Sequence, residues 1–230
     1  MKVVGVDGCP GGWVAVTWDT SAGTLDVRVH WSFAALLDAT ADVAAVAVDI
    51  PIGLPGGKRG CDSLARKLLA PKKSSSVFPA PDPRLLSFTT YAEANAWSRA
   101  NLGKGISKQV FAIFPKIAKV NGLLTPAMQA RVFEVHPEVS FCLLAGAPLL
   151  PRKGTPEGYD VRRRALMNAL GLEVWDRKAA FGLAKPAKPD DILDATVAAW
   201  TARRKVEGRE NRLADEAQVD ANGLRAEIVA

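Results

Sequence analysis

The sequence contains few cysteines, and their spacing excludes the frameworks that cysteines usually build. Only three occur in 230 residues, namely Cys9, Cys61 and Cys142, and no two form a Cys-x-x-Cys pair. This pattern suggests neither a disulfide scaffold nor a zinc site and fits a reducing compartment. No apolar run approaches the roughly 20 residues of a membrane-spanning helix, and the first residues do not resemble a signal peptide. We therefore expect a cytoplasmic protein without a membrane partner.

A phosphate-binding P-loop is also absent, although the first turn is rich in glycine. Gly8, Gly11 and Gly12 surround Pro10, but no Gly-Lys-Ser/Thr follows them. The next segment, residues 13–18, reads as a strand, whereas a P-loop leads into a helix. The glycines therefore indicate a turn between two strands.

Four buried or half-buried strands and one short helix account for the first fifty residues. The strands are predicted at residues 3–6, 13–18, 25–31 and 43–48, with a helix from the capping residue Ser32 through Asp38. The first three form an antiparallel meander, and the helix crossover returns the fourth strand parallel to the first. Asp7 and Asp49 follow these two parallel strands, so we expect them at one sheet edge, where ligands collect.

The pattern changes between residues 55 and 126, which we interpret as a helical and loop insertion. Helical stretches at residues 61–69, 90–101 and 107–120, the last broken at Pro115, alternate with Gly, Pro and Ser-rich loops. Residues 56–110 carry ten basic and three acidic residues, a net charge of +7, which leaves −1 for the rest of a chain of net charge +6. A basic segment of this kind suits a polyanionic partner such as nucleic acid, or it is simply a solvated surface.

The rest of the chain adds a short strand at residues 131–135, helices at 138–144 and 158–170, and a long helix that opens at residues 188–194 and ends at Gly208. Small residues on the long helix allow it to approach a sheet closely. The last twenty residues are polar, and we expect them to be frayed. The prediction is one α/β domain over residues 1–208, with a mixed sheet flanked by helices, an insertion at about 55–126, and a polar tail at 209–230.

Five carboxylates are candidates for a common site. Asp191 and Asp194 are three residues apart on the long helix and share its alanine face, so they approach the strand ends that carry Asp7 and Asp49. Carboxylate oxygens suit Mg²⁺ or Mn²⁺, and two such ions about 4 Å apart support phosphodiester hydrolysis by water. Glu134 is the fifth candidate.

Each acid also has a structural interpretation. Asp190 is expected to be a helix N-cap, and Asp191 could favour the helix dipole. Asp7 and Asp49 could stabilise turns, and Glu134 could be an ordinary edge-strand residue. The predicted site is absent only if all of these structural interpretations are correct.

Seven strings along the chain resemble one family, the domain of unknown function 429. They are GVDGCPGGW (5–13), VDIPIGLP (48–55), CDSLAR (61–66), SSVFPAP (75–81), SKQVFAIFPKIAKV (107–120), FEVHPEVSF (133–141) and DDILDATVAAWTARR (190–204). The order of strands and acids is also similar to the ribonuclease H-like fold, especially to Holliday-junction resolvases.

This resemblance implies a ribonuclease H-like nuclease with the metal at Asp7, Asp49, Asp191 and Asp194, and with Glu134 as a further catalytic acid. Simple ribonuclease H domains lack the insertion, so the substrate could differ. Our candidates for phosphate contacts in the insertion are Arg59, Arg66, Arg84 and Lys108.

Two other functions stay open. One is a phosphotransferase of the actin or sugar-kinase type, which shares the fold but needs a second copy of it, and the sequence contains no internal repeat. The other is a catalytically silent module that binds nucleic acid.

Overall fold

A five-stranded mixed sheet forms the centre of the molecule. The computed structural model describes residues 1–214 and 218–230. The strands are β1 (Lys2–Cys9), β2 (Gly12–Asp19), β3 (Thr24–His30), β4 (Ala45–Val48) and β5 (Val132–Glu134). Their order in the sheet is β3-β2-β1-β4-β5. The predicted meander of β1, β2 and β3 is confirmed, as is the parallel pairing of β4 with β1.

Helices cover both faces of the sheet. They are α1 (Phe33–Ala39), α2 (Gly60–Leu68), α3 (Tyr91–Leu102), α4 (Lys108–Ala112), α5 (Phe114–Leu123), α6 (Pro137–Ala145), α7 (Pro156–Leu170), α8 (Arg177–Leu183) and α9 (Pro189–Val206). Short 3-10 helices lie at Ser74–Ser76, Pro83–Ser87 and Pro126–Ala130. Within the described residues, no helix combines the length and the hydropathy that crossing a membrane requires.

Alternation along β1 and β4 assigns their side chains to two separate cores. Val3 and Ala47 pack with the alanines of α9. Val4 and Val48 pack on the opposite face with residues of α1 and α5, including Ile117. Because side chains of a strand alternate between faces, the odd-numbered positions of β1 and β4 all point towards α9.

The close approach of α9 to the sheet depends on Gly5. A Cβ atom at Gly5 would lie 2.0 Å from the carbonyl oxygen of Ala195 and 2.2 Å from the amide nitrogen of Ala199. Both distances are far below van der Waals contact, so only glycine allows the helix backbone to lie this near to β1. The small-residue face that the sequence predicts is therefore matched by a missing side chain on the strand.

The predicted N-cap of α9 is wrong. The N-cap is Lys188 and not Asp190. The acid that caps the helix is Asp191, which accepts a hydrogen bond from the amide of Lys188 at 2.8 Å.

The end of the chain is also not frayed at residues 224–230. Strand β7 (Ile228–Val229) pairs with β6 (Arg212–Leu213), and Val229 forms a parallel bridge with Val135 beside β5. The five apolar side chains of residues 224–230 are buried, and Ile228 packs with Cys61 and Val139 in a small separate core.

Candidate functional site

Asp7, Asp49 and Asp194 meet where β1 and β4 end beneath the first turns of α9. The amide of Asp49 donates to the carbonyl of Val6 at 2.9 Å, so the β1–β4 pairing continues to the two aspartates. Both hold odd-numbered positions, which point towards α9. Asp194, on the buried face of α9, is 1% exposed. Strand register and helix packing together bring these three acids to one place.

The pKa values of all three carboxylates in this trio are raised, and for Asp7 and Asp49 the charge of a neighbouring carboxylate contributes. Burial is the main cause for Asp7, whose pKa lies well above its usual range, and the charges of Asp49 and Asp194 add to the effect. Burial and then the charge of Asp194 raise the pKa of Asp49 to about 8. Burial also raises the pKa of Asp194. Such repulsion means that a cation in this place would be strongly favoured.

One lysine partly neutralises the trio. The ammonium group of Lys153 donates to Oδ2 of Asp194, and Asp194 is the main reason that the pKa of Lys153 is raised. The lysine side chain is nevertheless 44% exposed, so it reaches the acid from the solvent side. Within the described part of the chain, Oδ1 of Asp194 is buried and has no hydrogen-bond partner. Unpaired buried oxygen of this kind is rare and marks a place where a ligand could bind.

Asp191 lies at the edge of the trio and already has a structural task. Its Oδ2 accepts the hydrogen bond from the Lys188 amide that caps α9, and its half-buried charge raises the pKa of Asp7 and Asp49 only weakly. The structure therefore places it near the other acids but with one oxygen engaged.

A cleft of about 380 Å³ opens above Asp49 and Asp194. Its rim carries three basic side chains, Lys73, Arg152 and Lys153. The site thus combines an acidic floor with a basic rim, as a phosphate ester bound through a metal ion would require.

Arg162 holds the loop that carries Arg152 and Lys153. Its guanidinium group is fully buried and donates to the carbonyl of Pro151 at 2.9 Å and to Glu138 at 2.6 Å. Because the loop is anchored to α7 and α6 in this way, the basic rim is positioned before any ligand arrives.

Glu134 is near the trio but points to the other face of the sheet. It follows Phe133, which packs against α9, so the alternation of β5 turns its carboxylate away from Asp194. There it accepts hydrogen bonds from Arg59 and, at 2.7 Å, from the amide of Ile52. Arg59 is buried and also lies 3.2 Å from Asp62. Burial alone would lower the pKa of Arg59, but the charges of Glu134 and Asp62 raise it above its usual range.

The four basic residues predicted as phosphate contacts do not line the cleft. Besides the buried Arg59, Arg66 donates to the carbonyl of Val77 at 2.9 Å. Arg84 is exposed and pairs with Asp82 at 2.8 Å, and Lys108 lies 5.9 Å from the ring centroid of Tyr91. These residues belong to the framework and outer surface of the insertion.

Sequence reasoning missed the basic residues that do line the cleft. Arg152 and Lys153 lie in a Pro-Arg-Lys-Gly loop, and Lys73 precedes a run of three serines. A basic pair in a short loop before a helix was the available signal, since binding residues often lie on anchored loops. Nothing in the local pattern connects either stretch to Asp194.

The donor chemistry of the trio fits a divalent cation, whereas a complete set of metal ligands is not preassembled. A hard cation would give the unpartnered Oδ1 of Asp194 a partner and would relieve the repulsion that Asp194 exerts on Asp7 and Asp49. Among the described residues, however, no group of three His, Cys, Asp or Glu side chains is spaced to hold a metal ion. A cation would therefore require the acids to rearrange and Lys153 to give way.

Comparison with known proteins gives one match. A family model described as a protein of unknown function (DUF429) covers residues 5–219. No curated protein and no solved structure matches the chain.

Proposed function

This chain belongs to the DUF429 family, and from the site described above we propose that it is a metal-dependent nuclease with a ribonuclease H-like fold. The observation that carries this proposal is the cluster of Asp7, Asp49 and Asp194, of which Asp49 and Asp194 line a cleft with a basic rim. The order of the meander, the parallel strands and α9 supports the fold assignment. The reaction is hydrolysis of a phosphodiester bond in nucleic acid.

Asp7, Asp49 and Asp194 are the residues that would hold Mg²⁺ or Mn²⁺, with Asp191 beside them. When bound, such an ion supplies Lewis acidity at a phosphoryl oxygen and lowers the pKa of a water molecule. The rest of the task belongs to the protein. Burial and repulsion favour cation binding by the acids. Because water is the nucleophile in this reaction, the mechanism needs no Ser, Cys or His nucleophile.

The basic rim binds and orients the substrate. Lys73 and Arg152 face the same cleft as Asp49 and Asp194, so their charges attract a phosphate to that place. If a cation were bound at Asp194, the ammonium group of Lys153 would be free to serve as a third phosphate contact. Arg162 keeps Arg152 and Lys153 at the rim through its hydrogen bond to Pro151.

Substitution of Asp7 tests the proposal. In the presence of Mn²⁺ or Mg²⁺, wild-type protein should cleave labelled single- or double-stranded oligonucleotides, and the Asp7→Asn variant should lose at least about a hundredfold of that rate. The matched control is Asp38→Asn, because Asp38 is an exposed acid on α1, and α1 packs on the face of the sheet opposite α9.

Two results would contradict the proposal. Equal cleavage by Asp7→Asn and wild type would show that the activity comes from elsewhere. Salt-sensitive binding of oligonucleotides without cleavage by any divalent ion would favour the silent nucleic-acid-binding module instead.

A further inference from the structure

A second cavity, of about 490 Å³, lies in the insertion and shares a wall with the acidic cleft. Phe78 lines both spaces. Of its neighbours, Ser76 lines the cleft and Ser75 lines the second cavity. These residues belong to the string SSVFPAP at 75–81, so one short stretch of chain separates the two. We call the second space the insertion cavity.

The insertion cavity has apolar walls with charged and polar groups at their edges. Its apolar lining includes Val77, Pro79, Leu85, Ile106 and Val110. Its volume lies within the roughly 300–1,000 Å³ of typical small-ligand sites. This surface fits a flat ligand that has two apolar faces and a polar edge.

Two exposed lysines at the insertion cavity indicate a negatively charged ligand. Lys58 and Lys104 lie at its opening, and Asp82 and Gln109 provide hydrogen-bonding groups within it. Arg84 donates two hydrogen bonds to Oδ1 of Asp82 and one to Oδ2, so Oδ2 is the oxygen that can accept a further hydrogen bond. A base that offers amino or imino hydrogens and is linked to a phosphate matches both features.

The wall that faces the cleft is fixed by side chains of α2. Arg66 donates to the carbonyl of Val77 at 2.9 Å, and Asp62 accepts from the amide of Ala80 at 3.0 Å. The backbone on both sides of Phe78 is thus held in place by side chains of α2. Phe78 itself is half-buried, which leaves part of its ring available for contact.

The opposite wall, the loop after α3, is fixed in the same way. The hydroxyl of Tyr91 donates to the carbonyl of Ile106, Asn95 accepts from the amide of Ile106, and Ser98 donates to the carbonyl of Lys104, all within 3.0 Å. Because both walls are braced, a ligand would enter a preformed space and would not have to order a loop.

We propose that the insertion cavity binds one unstacked nucleobase of a nucleic-acid strand whose phosphate backbone lies in the acidic cleft. The base lies against Phe78, and Lys58 and Lys104 face the neighbouring phosphate. The inference rests on the proposed function for the identity of the strand. It narrows the substrate class to strands with an unpaired nucleotide beside the cleaved bond, since a base within a duplex cannot enter the cavity.

Binding of a mononucleotide tests the cavity without any cleavage. Calorimetry with the Asp7→Asn protein in EDTA should detect UMP binding, and ribose 5-phosphate, which lacks the base, should bind at least tenfold more weakly. Phe78→Ala should weaken UMP binding about tenfold, as the loss of base stacking predicts, whereas Phe78→Tyr should retain it. Lys104→Ala, a change at an exposed residue that leaves the core intact, should weaken UMP severalfold, and the exposed Lys119→Ala is the matched control.

Photo-crosslinking then locates the base. A single-stranded oligonucleotide that carries one 5-iodouracil should cross-link to residues 75–82 or 104–110 of the Asp7→Asn protein. Cross-links outside both ranges, equal binding of UMP and ribose 5-phosphate, or unchanged affinity in both Phe78→Ala and Lys104→Ala would each overturn the inference.

The two proposals fail in different ways. If wild-type protein never cleaves but UMP binding depends on Phe78 and Lys104, the nuclease proposal is wrong and the insertion cavity remains a nucleotide site. If wild-type protein cleaves and neither substitution changes UMP binding, the cavity inference alone is wrong.

Discussion

Two sets of acidic side chains lie at the same end of the sheet on opposite faces, and they differ in how fully cations and hydrogen-bond donors neutralise them. On the face without α9, Glu134 accepts hydrogen bonds from the buried guanidinium group of Arg59 and from a backbone amide. On the α9 face, Asp7, Asp49 and Asp194 share one cation, the half-exposed Lys153, and Oδ1 of Asp194 has no partner in the described structure. Both groups are buried, so burial alone does not separate them.

The difference indicates which group is structural and which is available to a ligand. A buried ion pair with every oxygen engaged fixes the chain, here joining the start of the insertion to β5. A buried cluster with too few cations is destabilising on its own, and proteins retain such clusters mainly at binding and catalytic sites. The following predictions, from the largest expected effect to the smallest, test this contrast.

Removal of the cation on the Glu134 face should cost the most stability. In Arg59→Met, Glu134 and Asp62 stay buried without their partner, so the free energy of unfolding should fall by about 3–5 kcal/mol. Urea denaturation at pH 7 measures it. Adding Glu134→Gln to Arg59→Met should recover part of the loss, and a loss below about 1 kcal/mol would contradict a structural role for the pair.

Addition of a divalent cation should stabilise the protein, and only through binding on the α9 face. Mn²⁺ at 100 times its dissociation constant should raise the free energy of unfolding by about 2.7 kcal/mol, because it binds the folded trio and not the unfolded chain. Thermal unfolding with and without EDTA measures the shift. Asp194→Asn should abolish it and Glu134→Gln should retain it; loss of the shift in both variants would remove the distinction between the faces.

The pH dependence of stability should carry the smallest signature. The pKa of Asp49 rises from 3.8 to about 8 on folding, so between these values the folded protein holds a proton that the unfolded chain releases. Stability in metal-free buffer should therefore fall as the pH rises from about 4 to 8. In Asp49→Asn this fall should be shallower, which leaves the variant more stable than wild type at pH 8 and equal to it near pH 4.

The matched control is again Asp38→Asn, which should follow the wild-type curve at every pH. If Asp49→Asn follows that curve as well, Asp49 does not carry the repulsion that we assign to it.

Much of the α9 face could be predicted because it depends on regular patterns. Continuous apolar runs before Asp7 and Asp49 indicate parallel buried strands, and a helix crossover makes them neighbours. The alanines after Asp194 indicate the helix side that meets the sheet. The meeting of these three acids follows from strand order and helix periodicity, which the sequence expresses directly.

The rest depends on features that local patterns express weakly. Strand β5 is only three residues long, so the face on which Glu134 lies is set by the register with β4, and the sequence shows no alternation that would predict it. Arg59 looks like any other residue of the basic insertion until the fold buries it. The buried end of the chain was missed because its alternation of apolar and polar residues, from Leu224 to Ala230, is short and follows a polar stretch.

The contact between α9 and β1 at Gly5 gives a design rule for the whole cleft. Two positions along the strand from Asp7, a hydrogen atom in place of a methyl group determines how deeply the helix sits. Gly5 therefore sets the distance between β1, which carries Asp7, and α9, which carries Asp194, although it has no functional group of its own. Anyone who wishes to widen or retune this pocket should begin with that spacer and leave the acids untouched.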